Sequence, residues 1–231
     1  MGNLAETLLE ELNVETAFTI PVFGGIAVAE STVVTWVVMA VLIVLSLILT
    51  SNLKVKDPGR RQLFVESAVL GLENMVLGNI GEKGRRYVPY LCTILLFVGL
   101  ANIFGIFGFK PPTKDLNVTA AVALMSIILV QAAAIQVKGP KGWIKGFAKP
   151  TGVVAPLNIL ELVIRPLSLC MRLFGNVLGA FVVMKLLEGV CPAVLPAAGS
   201  IYFDFFDGFI QAYVFVFLTA LFIKDAISDE E

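Results

Sequence analysis

The chain contains no histidine. That absence excludes Ser–His and Cys–His nucleophilic pairs, histidine-ligated metals and imidazole proton shuttles working near neutral pH. Any proton carrier here is a carboxylate, a lysine, a tyrosine or water. Cysteine is scarce as well. Cys92, Cys170 and Cys191 are widely spaced, each within or beside an apolar run, and they read as small buried hydrophobes with neither a metal nor a disulfide pattern. No Walker-type phosphate loop occurs, so the chain is not expected to hydrolyse ATP by itself. Charge is sparse, at 15% of residues with a net charge of -1 and no basic stripe, which gives no support to nucleic-acid binding. The sequence calls for no cofactor and no metal.

What the chain does have is apolar surface. Its 231 residues are 58% hydrophobic with a mean hydropathy of +0.89, too apolar for a soluble globular domain. The expected class is an all-α polytopic membrane protein. Residues 1–30 form an acidic segment with Glu6, Glu10, Glu11 and Glu15 ahead of the apolar stretch Ala17 to Ala29. Acid in place of base there is the wrong start for a cleaved signal peptide, so the stretch is expected to be retained. Pro21, Gly24 and Gly25 suggest a short helix and a loop on the outer side. Residues 31–231 read as a single membrane domain.

Five membrane helices are expected, over about 31–51, 87–108, 118–137, 156–190 and 200–224. A span needs about 20 apolar residues, at 1.5 Å each, to cross about 30 Å of hydrocarbon. Between the first two, Gln62 to Ile80 mixes Leu63, Phe64, Val65, Val69 and Leu72 with Glu66, Glu73 and Asn74. That stretch reads as too polar to span and as an amphipathic helix on the cytoplasmic surface. Lys54, Lys56, Arg60, Arg61, Lys83, Arg85, Arg86, Lys138, Lys141, Lys145 and Lys149 fall in loops on one side, against Lys110 and Lys114 on the other. The bias places the amino terminus outside and the carboxyl terminus in the cytoplasm.

One charge breaks the apolar pattern. Arg172 sits near the centre of Pro156 to Val190, a run of about 35 residues that would reach roughly 50 Å as a helix, too long for an upright span unless Pro166 or the glycines break it. An arginine stays protonated, so it does not escape burial by losing charge. At mid-membrane it costs at least about 3 kcal/mol on insertion scales. It must face a partner or water. Asn176 lies one turn on and shares its face, and Gly175 and Gly179 keep the neighbourhood thin enough for another helix to approach. The last helix, Ser200 to Lys224, carries Asp204, Asp207 and Gln211 inside a second apolar run. Together these residues describe a polar site between helices.

Other polar residues admit two readings. Glu161 and Arg165 at i, i+4 are a plain salt bridge or the mouth of a cytoplasmic opening. Asn102 is a packing hydrogen bond or a channel liner, and Asp115 with Asn117 is a helix cap or part of the outer opening. Lys185 and Glu188 suit an interfacial, snorkelling role.

Arg165-Pro166-Leu167-Ser168, then Arg172-Leu173-Phe174-Gly175-Asn176, with Gln211-Ala212-Tyr213-Val214-Phe215 on the last helix, resembles subunit a of the F-type ATP synthase membrane sector. Pro89-Tyr90-Leu91-Cys92-Thr93, Asn102-Ile103-Phe104-Gly105 and Pro112-Thr113-Lys114-Asp115-Leu116-Asn117 agree in the same order. The resemblance implies a stationary ion-conducting subunit with two aqueous half-channels, beside a rotating ring of c subunits and held by peripheral-stalk b subunits. It implies Arg172 as the essential arginine, with Asn176 and Gln211 as its partners. Protons or sodium ions are the implied cargo, and a bacterial inner membrane the implied location. The chain departs from the family at two places. Phe181 stands where members often have an acid nine residues after the arginine, and Asp204 stands seven residues before the glutamine, where a histidine or acid is usual. Asp204, with Asp207, is therefore expected to line the outer half-channel, the competing role being a helix cap.

Rival classes fare worse. A secondary transporter or channel using Arg172 to bind an anion would show paired repeats and broken helices, which are not evident. An intramembrane aspartyl protease needs aspartates on two neighbouring helices, whereas Asp204 and Asp207 share one.

Overall fold

The computed structural model describes residues 16–20, 26–51, 53–107, 111–147, 155–190 and 199–228. Glu6, Glu10, Glu11, Glu15, Lys110, Lys149, Cys191 and the acidic end of the chain fall outside these residues, as do the side chains of Lys145, Glu188 and Asp204.

Among the described residues the fold is helical apart from one hairpin. Strands β1 (Thr16–Ile20) and β2 (Ile26–Ala29) pair antiparallel, with Phe18 opposite Val28 and Ile20 opposite Ile26. The hairpin is not among the expected elements; the short helix expected within residues 1–15 lies outside the described residues. Thr16, Thr19, Ile20, Ile26 and Val28 are β-branched and favour a pleated surface, and Pro21, Gly24 and Gly25 between the two runs are turn formers.

Six helices follow: α1 (Glu30–Thr50), α2 (Arg60–Ile80), α3 (Val88–Ile103), α4 (Leu116–Phe147), α5 (Ala155–Val190) and α6 (Gly208–Ile227). By length and composition all six qualify to cross a membrane, α2 being the least apolar. α2, expected as a surface helix, is thus long and apolar enough to span by composition, while its connections put both its ends at one face. At its start Arg61 donates to the carbonyls of Ile48 and Ser51, 2.9 and 2.8 Å away, at the end of α1. Its far end runs into the Glu82–Tyr87 turn that opens α3. Ser31, at the start of α1, donates to Asp115 in the loop after α3. So α1 and α3 run oppositely, and α2 joins two ends at the same face of the bundle.

α4 is two helices. Gly139 has φ +71° and ψ 162°, a left-handed conformation that suits glycine, and Pro140 follows it. Trp143 Nε1 then donates to Gln131 Oε1 at 2.9 Å, folding the short second piece back along the first. The straight part matches the expected 118–137 span. α5 is continuous over 36 residues through Pro166, about 54 Å at 1.5 Å per residue.

α6 is the central post of the bundle. Gln211, Ala212, Phe215, Val216, Thr219, Ala220, Ile223 and Ile227 are buried at three- and four-residue spacing, against α3, α4 and α2. α5 leans chiefly on α4, through Leu169, Cys170 and Leu173. Lipid tails are as apolar as leucine, so such contacts hold by close packing. Gly208 shows how close. A Cβ placed there would meet Asn102 Cβ at 2.8 Å.

Candidate functional site

The site grows from the face that α5 leaves uncovered. Leu169, Cys170 and Leu173 are buried, while Ser168, Met171, Arg172, Gly175 and Gly179 are exposed on the other side. Leu160, Ile164 and Leu167 extend that exposed face by several turns. Arg172 is therefore a permanent cation near the middle of a membrane-length apolar surface. Among the described residues it has neither a hydrogen bond nor an ion pair. Ser168, Gly175 and Gly179 make its surroundings shallow.

One turn further on, Asn176 Nδ2 donates to Gln211 Oε1 across 3.5 Å, joining α5 to α6. Gln211 is 6% exposed, and its Nε2 is buried with no acceptor among the described residues. Buried amide donors normally have a partner. Of the three residues expected together, Asn176 and Gln211 are in contact. Arg172 and Asn176 share a face of α5, and Gln211 meets Asn176 from α6.

A turn of π-helix, Ile201–Asp207, leads into α6. It replaces the ordinary α-helix expected from Ser200, and π turns often accompany functional positions. Asp207 makes no side-chain cap at the α6 start, so the capping role is not the one it plays. It is partly exposed and lies one turn from Gln211. Asp204 lies on the same π turn, with its side chain outside the described residues.

Three further candidates act as fasteners. Asn102 is buried, donates to the Gly208 carbonyl at 3.0 Å and accepts from Thr113 Oγ1 at 2.7 Å, so it staples α3, the loop after it and α6. Asp115 takes the cap role: its Oδ1 accepts from the Asn117 N–H at 2.9 Å at the start of α4. Glu161 and Arg165 form the expected bridge at 2.8 Å. Arg165 also reaches Asp225 at 3.7 Å and lies 5.0 Å from the Phe222 ring centroid, tying α5 to the end of α6. Thr113 and Asp225 carry no signal in the sequence, because each acts on a side chain of a different element, and the π turn has the composition of an ordinary helical span.

Such a fold and site define a polytopic membrane protein with an exposed arginine central in a long apolar helix, one turn from a pair of amides. The family model described as ATP synthase A chain matches residues 32–224. The chain is 40% identical over 223 residues to ATP synthase subunit a of Nitratidesulfovibrio vulgaris strain DP4, covering 93% of this chain and 92% of that one. It is 36% identical to ATP synthase subunit a 1 of Pelobacter propionicus over 90% and 92%. It is 32% identical to "ATP synthase subunit a, sodium ion specific" of Propionigenium modestum over 90% and 77%. The chain belongs to the ATP synthase subunit a family, whose members are non-catalytic subunits of the ATP synthase membrane sector.

Proposed function

We propose that Arg172 is the charge against which a ring of c subunits turns, and that the chain conducts protons or sodium ions to and from that ring. The observation that carries this is the position of Arg172: exposed, central in α5, and without an ionic partner among the described residues. A carboxylate brought to about 4 Å in an effective dielectric of about 20 is worth roughly 4 kcal/mol. That offsets the cost of at least about 3 kcal/mol for holding the arginine there alone. The missing carboxylate comes from the neighbour.

The mechanism follows from this pairing. A ring carboxylate crossing lipid is neutral, carrying its ion, because a bare anion there is costly. Facing Arg172 it is stable as the anion, so the approaching ion-loaded group releases its cargo there. The same fixed charge repels a cation that would pass directly between the two sides. Gln211 Nε2 offers a donor to the carboxylate or to a water beside it. Asp207 and Asp204 line the outer path, and Glu161 and Asp225 flank the inner end. Each charge driven through 100 mV gains about 2.3 kcal/mol. Partners are the c-ring, the peripheral-stalk b subunits and lipid. The location is a bacterial inner membrane with the amino terminus outside and α2 along the cytoplasmic surface.

Photo-crosslinking residues placed at Leu167 or Met171, on the Arg172 face, are expected to capture a small proteolipid in the assembled complex. The same residue at Ile43, exposed on α1, serves as the lipid-facing control. Equal capture from both positions would remove the support for this docking face.

A further inference from the structure

The face of α5 that carries Arg172 is tied to α6 on both sides of that arginine. Arg165, Arg172 and Asn176 follow at seven and four residues, so all three fall on one stripe of the helix. On α6, Gln211, Val214, Leu218, Phe222 and Asp225 follow at three- and four-residue spacing and form a second stripe. The stripes meet at two points. Beyond Arg172, Asn176 Nδ2 donates to Gln211 Oε1 at 3.5 Å. Before it, Arg165 Nη2 lies 3.7 Å from Asp225 Oδ2, and the guanidinium carbon is 5.0 Å from the Phe222 ring centroid. From one tie to the other α5 rises about 16 Å and α6 about 21 Å, at 1.5 Å per residue. The two intervals match to within the reach of an arginine side chain. Within the interval the α6 stripe holds Val214 and Leu218, and neither can answer a cation.

The rest of the α5 packing leaves its height open. α5 leans chiefly on α4, through Leu169, Cys170 and Leu173, and apolar attraction of that kind is non-directional. A directional contact is what fixes how far the helix slides or turns. Arg165 supplies one. It is partly buried, and its planar fork of donors holds Glu161 on its own helix at 2.8 Å while reaching Asp225 on the other. Two carboxylates also leave Arg165 no excess positive charge with which to compete with Arg172, about 10 Å further along the stripe.

We propose that Arg165, through Asp225 and Phe222, is a positioning residue that sets the height at which Arg172 meets the ring carboxylate. This rests on the ion-conducting role assigned above.

The test uses the assembled complex in vesicles and reads ions pumped per ATP hydrolysed, a ratio that loss of assembled complex alone does not move. Arg165→Gln, Asp225→Asn, the two together, and the exchange of Arg165→Asp with Asp225→Arg are compared with the unmodified complex. A partly exposed ion pair is worth up to about fivefold. Arg165→Gln is therefore expected to lower the ratio about fivefold, and Asp225→Asn less, because Glu161 and Phe222 still hold the guanidinium. The double replacement is expected to cost no more than Arg165→Gln alone, since both changes remove one interaction. The exchange restores the pair with its charges reversed and is expected to recover about half of the lost ratio or more. An unchanged ratio in Arg165→Gln overturns the proposal, as do losses that multiply in the double replacement, or an exchange that assembles without recovery. If the exchange fails to assemble, the double replacement decides. Arg172→Ala in the same assay separates the two readings. Coupled pumping retained there counts against the ion-conducting role, whereas pumping lost there with Arg165→Gln unaffected counts against the positioning role alone.

Discussion

Asn176 and Gln211 join the two long helices of the site through a single contact, 3.5 Å from Nδ2 to Oε1, one helical turn beyond Arg172. Among the described residues Asn176 makes no other side-chain hydrogen bond, and Gln211 Nε2 is buried without one. The pair sets the distance between the arginine helix and the buried post of the bundle.

Replacing Gln211 with leucine keeps the volume and removes both amide functions. A hydrogen bond contributes about 1 kcal/mol net, and one to a charged group about 1.5 to 3 kcal/mol. ATP-driven pumping is therefore expected to fall roughly tenfold with the complex still assembled. Asn176→Leu, which removes only the neutral bond, should cost about fivefold. Comparing initial pumping rates of the two variants checks the order.

Gly208 is expected to tolerate no branched side chain. Its Cα faces Asn102 so closely that a valine would displace the amide from both the Gly208 carbonyl and Thr113. Overpacking of this kind costs about 1 to 3 kcal/mol, to which the stranded amide adds. Gly208→Val should lower the thermal midpoint of the purified complex, while Gly71→Val, at a position with open space around it, should not.

Asp207 has no capping bond to lose, so its substitution separates transport from folding. Asp207→Asn is expected to slow potential-driven inflow from the outer side by about tenfold, the effect of one charge beside the cation's path. The melting midpoint should stay unchanged. A fall in stability with normal inflow would make the residue structural.

The membrane class and the pairing of the Arg172 helix with the Gln211 helix through Asn176 are legible because polar side chains in apolar runs stand out without knowledge of the fold. The opposite roles of Asp115 and Asp207 are not. Each looks like a helix-capping aspartate in sequence, yet only Asp115 binds a nearby N–H. The hairpin is hard to see in sequence because its β-branched residues lie in strands of only five and four residues on either side of Pro21, Gly24 and Gly25. The Asn102 staple to Gly208 and the tie from Arg165 to Asp225 join separate helices. No periodicity marks them, since each is decided by packing. The π turn is invisible for a related reason: its residues have the composition of an ordinary α-helical span.

The central claim is that Arg172 meets a carboxylate from the ring. The most direct measurement is ATP-driven and potential-driven ion pumping by the assembled complex in vesicles, with Arg172→Ala against the unchanged protein. Coupled pumping is expected to disappear while the complex assembles in normal amount, because the ring carboxylate then has no counter-charge at which to ionise. Coupled pumping retained at normal flux in Arg172→Ala would show that the arginine is structural, and would contradict the account.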